Sequence, residues 1–225
     1  MTLSGKVQKN SPEKAKPCRN LFYKFVALII KFIVNINGGL IVTGRDKIPL
    51  NGGVIIASNH ISYLDPPILG AVIPRRSTFM ARKGLLNIPL IGWLIKLISF
   101  PIDREKPLPS TIKDSVKRLK NGELLIIFPE GRRSETEKLL EGKRGIGMIA
   151  SLSKSPVVPA LITGSNKALP LGAKWLKRAR ISVVFGNPIY PGAIHEKDKN
   201  KYKDITQRIM FAIGELKKRH ADNSS

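Results

Sequence analysis

The sequence contains few of the residues that cross-link chains or bind metals. Among 225 residues there is one cysteine, Cys18, and there are three histidines. One cysteine excludes a disulfide within the chain, and no Cys/His cluster has metal-ligand spacing, so we expect neither a disulfide scaffold nor a metal site. The apolar run after the basic N-terminus has no small-residue cleavage site, which argues against a secretory signal. We therefore expect the protein to stay on the cytoplasmic side of the membrane.

Acidic and aromatic residues are also scarce. Sixteen Asp and Glu stand against 39 Lys and Arg, giving a formal net charge of +23, and aromatics make up 6%. Such a charge attracts nucleic acid, an anionic membrane surface or a phosphorylated substrate. A nucleic-acid-binding module is the alternative from a different class. Because the basic residues are dispersed and no stacking or helix-turn-helix pattern accompanies them, we expect no nucleic-acid partner.

The most apolar run, residues 21–36, is short for a membrane span. Its few polar members fall on one helical stripe with the preceding asparagine: Asn20, Lys24, Lys31 and Asn35. As a helix the run reaches about 24 Å, against roughly 30 Å for the hydrocarbon core. We therefore predict a helix lying in the membrane interface, within an N-terminal segment 1–37. A buried core helix with two lysines reaching solvent is the alternative.

Short apolar runs alternate with helical patterns over residues 38–225, which predicts one α/β domain covered by helices on both faces of its sheet. The predicted strands are 40–44, 53–58, 77–81, 123–129, 156–162 and 181–186. The predicted helices lie near 66–72, 108–120, 144–153 and 201–219, the last being an amphipathic helix that packs on the core. A further apolar segment, 84–102, is broken by Pro89 and Gly92 and suits either a buried helix or an apolar groove near a bilayer.

One histidine follows a predicted strand, where open α/β sheets place their sites. His60 and Asp65 are five residues apart, so a turn is needed to bring them together. Pro66 at a first helical position makes Asp65 a candidate N-cap. If Asp65 accepts a hydrogen bond from one ring nitrogen, the other nitrogen can act as a general base. The alternative is a capping aspartate beside an ordinary strand-end histidine.

The loop after strand 123–129 has the composition of a phosphate site. Gly131 permits a tight turn that presents Arg132, Arg133 and the Ser134 hydroxyl at the carboxyl end of the strand. Arginine binds phosphate oxygens with bidentate, charge-assisted bonds, although an arginine pair in a loop is more often simply solvated. Glu130 can either orient a substrate hydroxyl or pair with an arginine of its own loop.

These residues lie in four blocks that resemble the glycerolipid acyltransferases. Asn59-His60 followed by Asp65 resembles the family's NHxxxxD signature. FPEGRRS at 128–134 agrees with FPEGTRS at six of seven positions, with Arg132 in place of threonine. FPIDR at 100–104, VVPA at 157–160 and the basic pair Lys143-Arg144 resemble further family segments. Four blocks in the family's order are far more specific than any one of them.

The resemblance covers about residues 40–190 and implies a mixed α/β sheet flanked by helices. It implies transfer of an acyl chain from coenzyme A or acyl carrier protein to the sn-2 hydroxyl of 1-acylglycerol 3-phosphate, or lysophosphatidic acid. The product is phosphatidic acid, made at the cytoplasmic face of an anionic membrane. By the resemblance His60 is the base and Asp65 orients it. The residues expected to bind the acceptor phosphate are Arg104, Arg132, Arg133, Ser134 and Lys143, and those expected to shape the site are Asn59, Glu130, Gly131 and Pro159. No metal or bound cofactor is implied.

Other functions remain as alternatives. Within the family, the acceptor can be glycerol 3-phosphate, another lysophospholipid or a lipid A precursor, and Arg132 adds a positive charge next to the expected phosphate. A catalytically silent lipid-binding scaffold is a further alternative. A serine hydrolase is not expected, because Ser165 does not lie in a GxSxG turn. His195 and His220 lie in charged loop and tail segments and are poor catalytic candidates.

Overall fold

The computed structural model describes residues 17–82, 99–102, 108–173, 175–193 and 200–222. The strands in these ranges are β1 (Leu40–Thr43), β2 (Val54–Ser58), β3 (Ser77–Arg82), β4 (Ser99–Ile102), β5 (Leu124–Ile127), β6 (Val157–Thr163) and β7 (Ile181–Phe185). The α-helices are α1 (Pro17–Ile36), α2 (Asp65–Val72), α3 (Leu108–Lys120), α4 (Gly145–Ser153), α5 (Ser165–Ala168) and α6 (Lys201–Asp222). Short 3₁₀ helices lie at Arg45–Lys47 and Pro191–Ala193.

The strands form one mixed sheet in the order β1-β7-β6-β2-β5-β3-β4. Neighbouring strands are parallel except β6 and β7, which are antiparallel. Every residue of the central strands β2 and β5 is buried, as expected for apolar strands covered on both faces. The predicted mixed α/β sheet flanked by helices is therefore confirmed.

Alternating strand residues divide the core between the two faces of the sheet. Val54 and Ile56 of β2 belong to a cluster that includes buried residues of α1 and α2. Ile55 and Ala57 belong to the other cluster, with residues of α3, α4 and α6. In α6 the apolar positions recur every four residues, and Ile205, Ile209 and Ile213 are all buried. The predicted C-terminal amphipathic helix thus packs on the second face.

Helix α1 packs one side on the first face and leaves a wide apolar side exposed. Val34 is buried, and the Tyr23 hydroxyl donates a hydrogen bond to the Gly70 carbonyl oxygen at 2.8 Å. The exposed apolar face of α1 is formed by Leu21, Phe25, Leu28, Ile29, Phe32, Ile33 and Ile36. The helix is therefore not a largely buried core helix. No helix in the described ranges is long and apolar enough to cross a membrane. The domain boundary at residue 37 stays a prediction.

The second apolar segment contains a strand at its end. Residues 99–102, inside the predicted segment 84–102, form the edge strand β4 beside β3. A helix is therefore wrong for this part of the segment, because Phe100 and Ile102 extend the sheet by pairing with β3. Residues 84–98 lie outside the described residues.

Candidate active site

The loops that follow three central strands meet at one edge of the sheet. Strand β2 lies between β6 and β5 and is parallel to both, so the carboxyl ends of all three strands reach the same edge. The Ser134 N–H donates to the His60 carbonyl oxygen at 2.7 Å, which joins the loop after β5 to the loop after β2. The two motifs singled out in the sequence are therefore brought together.

His60 and Asp65 form a hydrogen-bonded pair across a tight turn. His60 Nδ1 lies 2.8 Å from Asp65 Oδ2, and the same oxygen accepts the N–H groups of Ile61 at 2.7 Å and Ser62 at 2.8 Å. Because two backbone N–H groups point at Oδ2, this oxygen is an acceptor, and His60 Nδ1 must donate to it. In the neutral imidazole with this tautomer, the other ring nitrogen, Nε2, carries no proton and can accept one. The Asp65 side chain is fully buried, whereas that of His60 is 17% exposed.

The prediction that Asp65 is the N-cap residue of α2 is wrong. Leu64 is the N-cap residue of α2 and makes no side-chain cap bond, while Asp65 is already helical. A cap at Asp65 would bond the N–H of Pro67 or Ile68, but Pro67 has none and the Ile68 N–H donates to the Leu64 carbonyl oxygen. The carboxylate instead reaches back to the N–H groups of the preceding turn. This arrangement leaves it free to hold the histidine.

The ring of His60 is also held by an aromatic neighbour that the sequence analysis did not single out. The imidazole stacks on Phe128, with ring centroids 4.1 Å apart and an interplanar angle of 22°. Phe128 directly follows β5 and begins the second motif. A hydrogen bond at Nδ1 and a stacked ring face together restrict the orientation of the imidazole.

Ser165 is a second residue that the sequence analysis missed. Its Oγ donates to Asp65 Oδ1 at 2.6 Å, and the residue is fully buried at the start of α5. The sequence analysis considered it only as a nucleophile. A hundred residues separate the two side chains, and only the pairing of β2 with β6 brings them together. That strand order is not encoded in any local pattern.

Asn59 fastens the end of β2 to β6. Its Nδ2 donates to the Ile162 carbonyl oxygen at 2.9 Å, and its Oδ1 accepts the Ile162 N–H at 2.8 Å. The side-chain amide thereby continues the strand pairing by one step beyond β2. Pro159 lies buried within β6 and accepts the Gly186 N–H at 2.7 Å. Its expected role in shaping the site stays a prediction.

The Glu130 carboxylate joins two loops through backbone hydrogen bonds that the sequence analysis did not anticipate. Its Oε1 accepts the His60 N–H and its Oε2 accepts the Leu140 N–H, both at 3.0 Å. The carboxylate is 2% exposed and holds the two loops together, and among the described residues it pairs with no arginine. Its orientation of a substrate hydroxyl stays a prediction. Burial raises the pKa of the Glu130 carboxyl, and the hydrogen bonds from Leu140 and His60 oppose this rise.

The second motif forms the expected tight turn. Gly131 has φ +70°, and its N–H donates to the Phe128 carbonyl oxygen at 3.0 Å. The Lys143 side chain lies against this glycine, since a Cβ there would be 2.9 Å from Nζ. The Arg133 guanidinium lies over the Tyr63 ring, and Arg132 is exposed. Three basic side chains therefore surround the turn.

Two expected phosphate ligands need separate mention. The Ser134 hydroxyl donates to the Lys138 carbonyl oxygen at 2.6 Å, and Ser134 is 5% exposed. Its proton is thus used to close the loop, which differs from the expected contact with a phosphate. Arg104 lies outside the described residues, so its place beside the loop stays a prediction.

The fold is a mixed α/β sheet whose loops bring the His60–Asp65 pair beside a basic turn. A model of the acyltransferase family matches residues 39–163, more than half of the chain. The protein therefore belongs to the acyltransferase family. The match contains both motifs of the site.

Individual relatives agree with this membership. A 1-acyl-sn-glycerol-3-phosphate acyltransferase of Bacillus subtilis (strain 168) is 34% identical over 197 residues, covering 86% of this chain and 96% of that protein. The protein of the same name from Streptococcus pneumoniae is 31% identical over 216 residues, covering 93% and 78%. The crystal structure of a 1-acyl-sn-glycerophosphate acyltransferase from Thermotoga maritima has the same fold, with a TM-score of 0.73 and 24% identity over 91% of this chain and 84% of that one.

Proposed function

We propose that the protein transfers a fatty acyl chain from an acyl thioester to the sn-2 hydroxyl of 1-acylglycerol 3-phosphate, forming phosphatidic acid for phospholipid synthesis. One observation carries the proposal. The His60–Asp65 pair, a base with a free ring nitrogen, lies one loop away from the basic turn at Gly131. A lysophosphatidic acid presents a hydroxyl for the base and a phosphate for the basic turn. The names of the two bacterial relatives support this acceptor.

In the proposed reaction His60 acts as a general base. Nε2 takes the proton of the acceptor hydroxyl while the hydroxyl oxygen forms a bond to the thioester carbonyl carbon. The carbon–sulfur bond then breaks, and the thiolate leaves with the proton returned from Nε2. Asp65 stabilises the imidazolium that exists between these steps, since its carboxylate stays bonded to Nδ1. No covalent acyl-enzyme is required, and no bound cofactor takes part.

The acceptor phosphate is assigned to the basic turn. Arg133 offers a planar fork of N–H donors, and Lys143 adds a second charge against Gly131. Arg132, exposed on the same turn, supplies a further charge, and Arg104 stays an expected partner from the segment after β4. Binding of the phosphate positions the acceptor hydroxyl for attack on the thioester. These basic residues thus contribute to the rate by orienting the acceptor and take no part in proton transfer.

The membrane surface is the proposed location, because the acceptor is a lipid. The exposed apolar face of α1 is suited to lie among acyl chains, and the net charge of +23 favours anionic headgroups. A second apolar element adjoins the C-terminal end of this helix. Trp175 and Leu171 are 84% and 65% exposed in the loop after α5, and Asn37 holds that loop through Lys177 and Ala179. Tryptophan favours the interface between headgroups and chains.

An acyl-transfer assay tests the proposal. Labelled acyl-CoA, and separately acyl-acyl carrier protein, is offered with 1-acylglycerol 3-phosphate in mixed micelles to the wild type and to His60→Ala. We expect labelled phosphatidic acid with the wild type and a loss of more than about a hundredfold in the variant. Circular dichroism confirms that the variant is folded. Full activity in folded His60→Ala contradicts the mechanism.

The same assay separates the acceptors. Glycerol 3-phosphate and other lysophospholipids are offered in parallel at matched concentrations. We expect kcat/KM to be highest for 1-acylglycerol 3-phosphate. A higher value for another acceptor overturns the acceptor assignment while leaving the reaction class intact.

A further inference from the structure

We propose that Ser165 is a positioning residue of the catalytic base, which holds the Asp65 carboxylate in the orientation that His60 requires. The inference rests on the proposed function, because it assigns a role within the same site. It starts from the 2.6 Å hydrogen bond that Ser165 Oγ donates to Asp65 Oδ1. Ser165 does not touch the reacting atoms, and its effect passes through Asp65.

The distribution of donors around Asp65 makes this bond distinctive. Oδ2 accepts three hydrogen bonds, from His60 and from the N–H groups of Ile61 and Ser62. Among the described residues, Ser165 is the one donor to Oδ1. A buried carboxylate oxygen without a donor is costly. Because both oxygens turn together about the Cβ–Cγ bond, a donor at Oδ1 also resists the rotation that would carry Oδ2 away from His60. The Ser165 hydroxyl therefore fixes the second oxygen.

The backbone delivers this hydroxyl from a rigid place. Ser165 follows Gly164, whose φ is +78°, and a Cβ at Gly164 would lie 2.0 Å from the Arg180 carbonyl oxygen. Only glycine fits this close approach to Arg180. Three residues earlier, Ile162 is joined to Asn59 by two hydrogen bonds. The position of Oγ relative to Asp65 is thus set by the pairing of β6 with β2.

The hydroxyl is not used by its own helix. Ser165 is the first residue of α5, the N-cap residue is Gly164, and no side-chain cap bond is made there. The Ser165 proton goes to a carboxylate that is bonded to the base. A role in packing alone requires volume at this position, whereas the proposed role requires a strong hydrogen-bond donor. The two roles are separable by substitution.

The consequence for catalysis lies in the turnover step. When Nε2 takes the acceptor proton, the imidazolium is stabilised by the carboxylate at Nδ1 only if Oδ2 stays aligned. Loss of the Ser165 bond is expected to lower kcat and to leave the KM for the acceptor unchanged, because the basic turn that holds the phosphate is not involved.

The experiment compares three variants at position 165. Ser165→Ala removes the hydroxyl, Ser165→Cys keeps volume but offers a weak donor, and Ser165→Thr keeps the hydroxyl. We expect Ala and Cys to lower kcat roughly tenfold or more, with KM unchanged, and Thr to recover most of the loss. The control is Ser115→Ala in α3, where a fully buried serine donates to the Thr111 carbonyl oxygen of its own helix. We expect this control to keep the wild-type kcat.

A second measurement does not depend on any substrate. The proton on His60 Nδ1 gives a downfield proton NMR resonance, assigned by its loss in His60→Ala. We expect this resonance to shift and to exchange faster with water in Ser165→Ala and Ser165→Cys, and to return in Ser165→Thr.

The outcomes separate the two proposals. An unchanged resonance in Ser165→Ala, or a wild-type kcat in Ser165→Cys, overturns the positioning role. If the wild type acylates none of the acceptors, the proposed function fails, and the resonance alone decides the role of Ser165. If Ser165→Ala does not fold, Ser165→Cys provides both readings.

Discussion

The guanidinium carbon of Arg133 lies 3.6 Å from the centroid of the Tyr63 ring. Tyr63 belongs to the loop that carries the proposed base, and Arg133 belongs to the turn of the proposed phosphate site. Stacking fixes the plane of the guanidinium and leaves its edge of N–H donors for an anion. This contact adds to the hydrogen bonds from Ser134 to His60 and from His60 to Glu130 that already join the two loops.

Arg133→Lys is expected to raise the KM for 1-acylglycerol 3-phosphate roughly tenfold, because lysine keeps the charge and loses both the fork and the stack. Steady-state kinetics in mixed micelles measure the change. The matched control is Arg118→Lys. Arg118 lies away from the site, and its guanidinium is 3.0 Å from the Glu123 carboxylate. An unchanged KM in Arg133→Lys removes Arg133 from the phosphate site.

Asp65→Asn is expected to lower kcat by about 10²- to 10⁴-fold. An amide cannot accept all four hydrogen bonds that the Asp65 carboxylate accepts. Asp46→Asn, at an exposed position in the first 3₁₀ helix, is the control and should retain activity. A kcat within a few-fold of wild type in folded Asp65→Asn means that the pair is not the base.

Gly131→Ala is expected to disturb the basic turn. The residue has φ +70°, and the new Cβ would lie 2.8 Å from Lys143 Cε, so the lysine must move and the backbone is strained by on the order of 1 kcal/mol. We expect a higher KM for the acceptor and a melting temperature lower by a few degrees. Gly192→Ala, where a Cβ meets nothing within 4 Å, is the control. Equal effects in the two variants contradict this account of the turn.

The buried carboxyl of Glu130 predicts a specific pH dependence of stability. Burial raises its pKa in the folded protein above the ordinary value, 4.5. As pH rises from 4.5 toward the raised pKa, the unfolded chain has lost this proton and the folded chain still holds it. The contribution to the free energy of unfolding therefore falls with rising pH over this window.

Denaturant unfolding of the wild type and Glu130→Gln at several pH values measures this contribution. Glutamine also loses one acceptor for the His60 and Leu140 N–H groups, which adds a difference that does not depend on pH. The stability of the wild type relative to Glu130→Gln is expected to decline through the window. A constant difference contradicts the raised pKa.

The exposed apolar face of α1 predicts binding to membranes. Phe25→Glu with Phe32→Glu places two charges on this face, and we expect weaker flotation with vesicles that contain anionic lipid. Phe211→Glu, at a similarly exposed position on the opposite side of the sheet, controls for charge. Vesicle binding that is equal in all these variants overturns the proposed membrane contact.

Much of the fold could be predicted from local patterns, because strands buried on both faces are continuous apolar runs. Val54–Ser58 and Val157–Thr163 fall within a residue or two of the predicted strands, and Leu108–Lys120 has the predicted bounds. The strand order and the antiparallel β7 could not be predicted, since they depend on contacts between distant segments. The strand at Ser99–Ile102 was missed because it ends an apolar run whose composition equally suits a helix.

The contacts of the candidate site likewise include some that the sequence predicts and some that it does not. The approach of His60 to Asp65 could be anticipated, because a turn of the four residues between them can bring the two side chains together. The hydrogen bonds from the His60 and Leu140 N–H groups to Glu130 could not be anticipated. Almost every residue has a backbone N–H, so the sequence does not indicate which of them meet a given carboxylate. The contact of Asp65 with Ser165 required knowledge that β6 lies beside β2.

The Ser165 hydroxyl proton is donated to Asp65, and its oxygen is wholly buried. A serine in that state cannot itself accept an acyl chain from a thioester. Under the proposed mechanism, which forms no covalent acyl-enzyme, donor and acceptor occupy the protein together, in a ternary complex that reacts by single displacement. The acyl chain then passes directly from donor to acceptor. A donor that binds without the acceptor lipid forms no acyl-enzyme, so its acyl chain is not lost by hydrolysis of such an intermediate.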